Sequence, residues 1–246
     1  MTLATSEVGK AFDLTPIQEG MLFHALYAKQ SGMYVEQIRS RFCGSLDVRA
    51  FEQAWQLIVA RHQILRASFE WEGVERPRQI FQNEATVEIE HHDWCELSPG
   101  EQQKSLLELV THDRERGFDL SKAPLFRLIL MKMATNEHHF ILSSHHILLD
   151  GWSQELVLNE VFAAYRALLS GDDVAIQPSR AFSDYVEWLR SRDGSTDEAF
   201  WREQLRDFDE PTRLGIDRVD AADDEPRYEE CAIVLSKEMT AALQSF

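Results

Sequence analysis

Apolar residues recur every three to four positions at Ile17, Met21, Leu22, Ala25 and Leu26, the spacing of one helix face. Thr15-Pro16 stands just before them and supplies an N-cap hydroxyl and a proline suited to the first helical position, so the pattern predicts a helix from Thr15 to about Tyr27. Tyr34 to Cys43 alternates loosely as Val35, Gln37, Ile38, Arg39 and Phe42 before the Gly44-Ser45 break, and is expected as a strand. Asp47 then caps a second helix whose stripe is Phe51, Ala54, Trp55, Ile58 and Val59, ending near Arg61-His62. Strands are expected at Leu65 to Trp71 and Val87 to His92. A charged helix follows at Glu101 to Arg116, with Leu106, Leu107, Leu109 and Val110 inward and Gly117 closing it.

Leu125 to Met133 and His138 to Ser143 are apolar runs joined by a Thr-Asn-Glu turn, which predicts a buried antiparallel hairpin. Trp152 to Leu169 reads as a long helix stopped by Ser170-Gly171, and shorter helices are expected near Phe182 to Arg192 and Thr196 to Leu205. From 207 to 230 acidic residues and Pro211 and Pro226 replace the apolar stripes, so this stretch reads as a linker. Cys231 to Leu235 then resembles a strand, and Ser236-Lys237-Glu238 a helix start. Together these elements predict an α/β fold: a mixed, largely antiparallel sheet with the Thr15, Phe51 and Trp152 helices packed on it.

Composition narrows the function classes. The 246 residues are 44% hydrophobic and 27% charged, enough for a real core and unlike a disordered or disulfide-stapled chain. Twenty-five Lys and Arg against 42 Asp and Glu leave a net charge of −17, which disfavours nucleic acid and anionic membranes as partners. Cys43, Cys95 and Cys231 are widely spaced without CxxC, so a reducing cytoplasm is expected. P-loop, GxGxxG and GxSxG patterns are absent, which removes the common nucleotide and nucleophile-elbow folds.

Three adjacent histidine pairs occur, at His91-His92, His138-His139 and His145-His146. Neighbours in a strand point to opposite faces, so for the first two pairs a structural role is expected, with one imidazole of each facing solvent. The third stands between a buried strand and an amphipathic helix and continues Ile147-Leu148-Leu149-Asp150-Gly151-Trp152-Ser153. One of its imidazoles is expected in a cleft and the other against the sheet. Asp150 is expected to fix the turn, by accepting a backbone amide or pairing with a buried Arg, and Gly151 to allow positive φ and close approach of substrate. From spacing alone two other readings stay open: a core histidine beside an Asp that merely caps the next helix, and a metal pair His146 with Asp150 that lacks a known third ligand.

His145 to Gly151 is the pattern HHxxxDG, and with Trp152-Ser153 the chain resembles the condensation domains of non-ribosomal peptide synthetases, within the chloramphenicol-acetyltransferase-like acyltransferases. Leu14-Thr15-Pro16-Ile17-Gln18-Glu19-Gly20-Met21-Leu22-Phe23-His24 is similar to that family's opening motif, and Arg61-His62-Gln63-Ile64-Leu65-Arg66-Ala67-Ser68-Phe69 to its second. Phe182-Ser183-Asp184-Tyr185 with Trp188 is similar to its fourth, and Phe200-Trp201 to the pair before its interlobe linker. The resemblance implies one lobe of a two-lobed, V-shaped domain with HHxxxDG at the bottom of a tunnel. It also implies an N-terminal lobe over 14–206, an interlobe linker at 207–230 and the start of a C-terminal lobe at 231–246.

The implied reaction joins the amine of an acceptor aminoacyl group to a donor peptidyl thioester. Each substrate is held on the phosphopantetheine arm of a donor or acceptor peptidyl carrier domain, with an adenylation domain adjacent and no cofactor bound directly. By that resemblance His146 takes the amine's proton or holds the amine, with His145 beside it, and Gly151 offers a backbone N–H to the oxyanion. Asp150, paired with Arg66 or Arg61, is structural, as is Trp201. The opening motif resembles domains that accept a donor ending in a D-residue. Residues 1–13 are then expected to dock an upstream synthetase that ends in an epimerisation domain. The alternatives are a lobe that docks carrier domains without turnover, or another acyltransferase or epimerisation domain bearing HHxxxDG.

Overall fold

The computed structural model describes residues 9–27, 32–174, 179–210 and 233–246. Its elements run β1 (Lys10–Asp13), α1 (Pro16–Tyr27), β2 (Val35–Cys43), α2 (Val48–Arg61), a 3-10 turn (Gln63–Arg66), β3 (Ala67–Glu70), β4 (Arg78–Phe81), β5 (Ile89–Asp93) and α3 (Pro99–Arg116). They continue with β6 (Phe126–Ala134), β7 (Glu137–His145), α4 (Gly151–Ser170), α5 (Phe182–Ser191), α6 (Ser195–Gln204) and α7 (Lys237–Gln244).

Side-chain oxygens start the helices where the sequence places them. Asp47 accepts from the Ala50 amide and Asp150 from the Ser153 amide, and Ser98 forms a reciprocal capping box with Glu101. At α1 the Thr15 amide donates to Gln18 Oε1 at 3.0 Å while Thr15 Oγ1 accepts from the Gln18 amide at 3.3 Å. The glycines expected to stop helices do so: Gly117 and Gly171 both hold positive φ just past α3 and α4.

Four strands form one sheet in the order β2-β7-β6-β5, antiparallel except for the parallel β5–β6 pair. Alternation along β6 and β7 splits their apolar residues between its two faces. Leu128, Leu130, Phe140 and Leu142 join the main core with Phe51, Trp55 and Ile58 of α2 and Val157 and Val161 of α4. Ile129, Met131, Met133 and Ile141 turn the other way, toward Leu106, Leu109 and Val110 of α3. Covering both faces explains why the hairpin reads as continuous apolar runs.

A second sheet, β1-β4-β3, is wholly antiparallel; β3 falls within the strand expected at Leu65 to Trp71, whereas β1 and β4 escape the sequence pattern. In β4 the buried, inward residues are Gln79 and Phe81, and a glutamine in a core position hides the alternation. Gln79 is tolerated because its amide donates to Asp13 O at 2.7 Å and to Gln18 Oε1 at 3.1 Å. Gly9 precedes β1 for a steric reason: a Cβ there would lie 1.8 Å from Phe81 O.

Some expectations need amending. Leu107 is 63% exposed, because the α3 stripe is 106, 109 and 110 and position 107 lies one step round the helix. Residues 233–235 hold no strand, and 231–232 and the expected linker from 211 lie outside the described residues. Of the expected docking segment, residues 1–8 lie outside the described residues and 10–13 are β1. The chain divides into two units, 1–200 and 201–246. Within the second, α7 begins at the Ser236 cap. Among the described residues no helix is long and apolar enough to cross a membrane.

Candidate active site

β7 ends at His145, three buried residues turn the chain, and α4 begins at Gly151. The turn is held where it leaves the strand by backbone: the His145 amide donates to Leu125 O at 3.0 Å, His146 to Tyr34 O at 2.8 Å and Leu148 to His145 O at 3.0 Å. Ile147, Leu148 and Leu149 anchor it in the core, each under a tenth exposed. Buried Gln18 of α1 adds a donor contact to Ile147 O at 3.4 Å. The opening motif thus ties the turn to β4, a role its sequence resemblance did not specify.

The two histidines differ in burial. His145 is 3% exposed, and its Nδ1 accepts from the Ile147 amide at 3.1 Å. Burial first, then the neighbouring His146, lowers its pKa to about 4, so it is neutral at physiological pH. Its ring meets Phe118 edge-on at 6.4 Å, and Phe118 carries the Arg127 guanidinium 4.0 Å from its centre. His145 also lines a cavity of about 280 Å³ with Leu26, Met33, Trp71, Phe118 and Leu120.

His146 keeps a quarter of its side chain in solvent. Tyr34, held at a φ of 65°, lays its ring parallel to the imidazole at 6.5 Å and 3°. Nδ1 lies 3.0 Å from Glu36 Oε1, off the axis of a hydrogen bond, and that nitrogen has no hydrogen-bond partner among the described residues. Glu36 is itself held: Gln154 of α4 donates to its Oε2 and reaches Ser144 Oγ at 3.1 Å. Nε2 makes no hydrogen bond among the described residues and is the edge left for chemistry.

Of the two partners expected for Asp150, the structure shows the backbone amide and corrects the arginine pairing. Asp150 is exposed and pairs with neither Arg61 nor Arg66. Its Oδ1 accepts from the Ser153 amide at 2.8 Å, and that bond holds its carboxyl below the usual carboxylate range. At the first turn of α4 a carboxylate finds amides closer than any guanidinium. Arg66 instead donates to the carbonyls of Val59, Ala60 and Gln82, closing the C-terminus of α2. Arg61 lies 3.4 Å from Glu160, which also meets His62 Nε2 at 2.6 Å, so the second motif joins α2 to α4. Gly151 is a helical residue without positive φ, and a Cβ there would meet nothing within 4 Å. The open space beside the turn, not the backbone angle, is what its small size provides. Trp201 lies in the second unit and is 59% exposed.

The buried carboxylate that does pair with arginine is Asp113 of α3, which the motifs did not mark. Arg127 Nε donates to it at 2.6 Å and Gln37 Nε2 at 2.8 Å, and Ser143 Oγ completes the set. Burial pushes its pKa up, but these donors outweigh it and the net shift is downward. The other histidine pairs are peripheral: His91 meets Glu52 and His92 meets Glu90, while His138 is buried and His139 only partly so. Among the described residues no three His, Cys, Asp or Glu side chains gather as a metal site.

Residues 9–246 match the family described as Condensation domain. The chain belongs to that family. It is 41% identical over 240 residues to a linear gramicidin synthase of Brevibacillus parabrevis, covering 98% of this chain and 5% of that protein. Against bacitracin synthase 3 of Bacillus licheniformis it is 36% identical over 210 residues, 85% of this chain and 3% of that one. Among solved structures, the starter condensation domain of rhizomide synthetase superposes with a TM-score of 0.73 at 21% identity, over 82% of this chain and 50% of that one. The first condensation domain of the calcium-dependent antibiotic synthetase does so at 0.70 and 22%, with the same coverage. These likenesses fix the fold as a chloramphenicol-acetyltransferase-like lobe, and the condensation-domain chain here spans about half of either solved chain.

Proposed function

We propose that this chain supplies the histidine-bearing half of a domain that forms amide bonds between carrier-bound substrates. The observation that carries the reading is His146, on a strand-to-helix turn held by backbone hydrogen bonds, with its Nε2 unengaged among the described residues, inside HHxxxDG. The acceptor amine reaches the site as an ammonium or an amine, and only the amine attacks a thioester carbonyl. Nε2 of a neutral imidazole holds that amine and takes its proton as the C–N bond forms and the thiolate leaves. Holding both phosphopantetheine-borne reactants in place supplies roughly 7 to 11 kcal/mol of the barrier. The free amides at the N-terminus of α4, that of Gly151 first, face developing negative charge with a favourable dipole. His145 stays neutral and positions the turn. In the same proposal Arg61, Arg66, Asp150 and Trp201 are structural.

The carrier domains, an adjacent adenylation domain and the remaining lobe are the partners this reading requires. Leu14 to His24 supports a donor ending in a D-residue, delivered by an upstream synthetase with a terminal epimerisation domain and met through residues 1–13. The test compares two substitutions in a synthetase carrying this chain. H146A lowers amide formation by roughly 10²- to 10⁴-fold without moving the thermal midpoint. D150A loses about 0.5 to 2 kcal/mol of stability with its helix cap. Amide formation by H146A at the wild-type rate would refute the proposal.

A further inference from the structure

Glu36 belongs to none of the motifs that mark the site, yet its carboxylate is the nearest charged group to the His146 ring nitrogen that faces the protein. We infer that Glu36 is the positioning residue that sets the tautomer of His146, fixing the proton on Nδ1 and leaving the Nε2 lone pair toward the substrates. This rests on the reading of His146 as the group that meets the acceptor amine.

Three observations carry it. Nδ1 lies 3.0 Å from Glu36 Oε1 and makes no hydrogen bond among the described residues, so a proton on that nitrogen has this carboxylate as the acceptor in reach. Glu36 is not free to swing away. Its backbone is in register with Ser144 in the β2–β7 ladder, and its Oε2 is taken by Gln154, which is 4% exposed and also bound to Ser144 Oγ. Finally, the imidazole plane is set by the parallel Tyr34 ring and by the His146 amide bonded to Tyr34 O. A small rotation within that stack brings the N–H onto the carboxylate, as hydrogen bonds of a site tighten when reactants bind.

The chemistry follows. A carboxylate accepts and never donates, so it selects the Nδ1–H tautomer; the imidazolium formed when Nε2 takes the amine's proton then sits against a negative charge. Glutamine at position 36 inverts this. Its carbonyl is claimed by the Gln154 donor, which turns its own NH₂ toward Nδ1. That selects the Nε2–H tautomer, which cannot accept a proton from the amine.

The test is ring-nitrogen NMR on the full chain with ¹⁵N-labelled histidine, assigned by loss of the signal in H146A. In the wild-type chain at neutral pH the His146 Nδ1 resonance is that of a protonated nitrogen and Nε2 that of a bare one; in E36Q the two exchange character, while thermal unfolding remains cooperative. E36D, whose shorter arm keeps the charge, retains the wild-type tautomer in part. A wild-type Nε2–H tautomer, or an E36Q spectrum identical to wild type, would overturn the inference, and the first does not depend on E36Q folding. In a synthetase carrying this chain, E36Q lowers the kcat of amide formation about 10- to 100-fold with KM little changed. Full kcat in E36Q beside an inactive H146A defeats this inference alone, whereas full kcat in H146A defeats the reading it rests on.

Discussion

His145 is buried and accepts only a backbone amide at Nδ1, and that burial shapes how the fold responds to acid. The folded chain holds His145 neutral down to about 4, while the unfolded chain takes up a proton near the ordinary value of about 6.5. Between those values the unfolded state binds more protons, so stability is complete above the upper one and falls as pH drops toward the lower. The loss attributable to His145 has a ceiling of about 3 kcal/mol. Denaturant unfolding at pH 7 and pH 4.5 in wild type and H145N isolates this part, because the carboxylates titrate equally in both. An equal acid loss in H145N would assign the sensitivity to those carboxylates instead. Gly151 invites the opposite kind of substitution. With open space around its Cβ position, G151A is expected to keep stability or gain up to about 1 kcal/mol, yet to slow amide formation by filling room the substrates use. Lower stability or an unchanged rate would place the substrates elsewhere.

At the scale of elements, Asp113 joins α3 to three strands of the large sheet through Gln37 of β2, Arg127 of β6 and Ser143 of β7. Removing one partner strands a buried guanidinium, so D113N is expected to cost about 3 to 5 kcal/mol, and the double substitution of Asp113 by Leu with Arg127 by Met to recover most of it. Chemical denaturation of the single and double variants checks this, and additive losses would contradict it. The same elements show what sequence pattern can and cannot convey. α2 and α4 are legible because a cap and a 3.6-residue stripe coincide. The β6–β7 hairpin is legible because both of its faces are covered. β1 and β4 are not, since each holds four residues and β4 buries Gln79, and local pattern carries no sign of the amide pair with Gln18 that makes this acceptable. Asp150 is legible in part for a related reason: spacing shows that a carboxylate stands before a helix, where it accepts the Ser153 amide, but not that it faces solvent away from Arg61 and Arg66.

Across the whole molecule the site draws on α1, β2, the turn after β7, and α4. Only the turn is contiguous, and its HHxxxDG pattern is why the family is recognisable. Tyr34 stands just before β2, Glu36 at its start and Gln154 in α4, and they meet around His146 only when β2 pairs with β7 and α4 packs across them. Nothing in their local sequence distinguishes them from strand and helix surface residues. The chain also spans about half of the solved condensation domains it resembles, so the proposed amide-forming activity belongs to this lobe together with its other half. The most direct measurement is therefore a single-turnover reaction in a synthetase carrying this chain, with donor and acceptor already loaded on their carrier domains so that only the condensation step is timed. The account predicts that H146A slows this step by roughly 10²- to 10⁴-fold while carrier loading and the thermal midpoint stay at wild-type values. A single-turnover rate in H146A equal to wild type would contradict it.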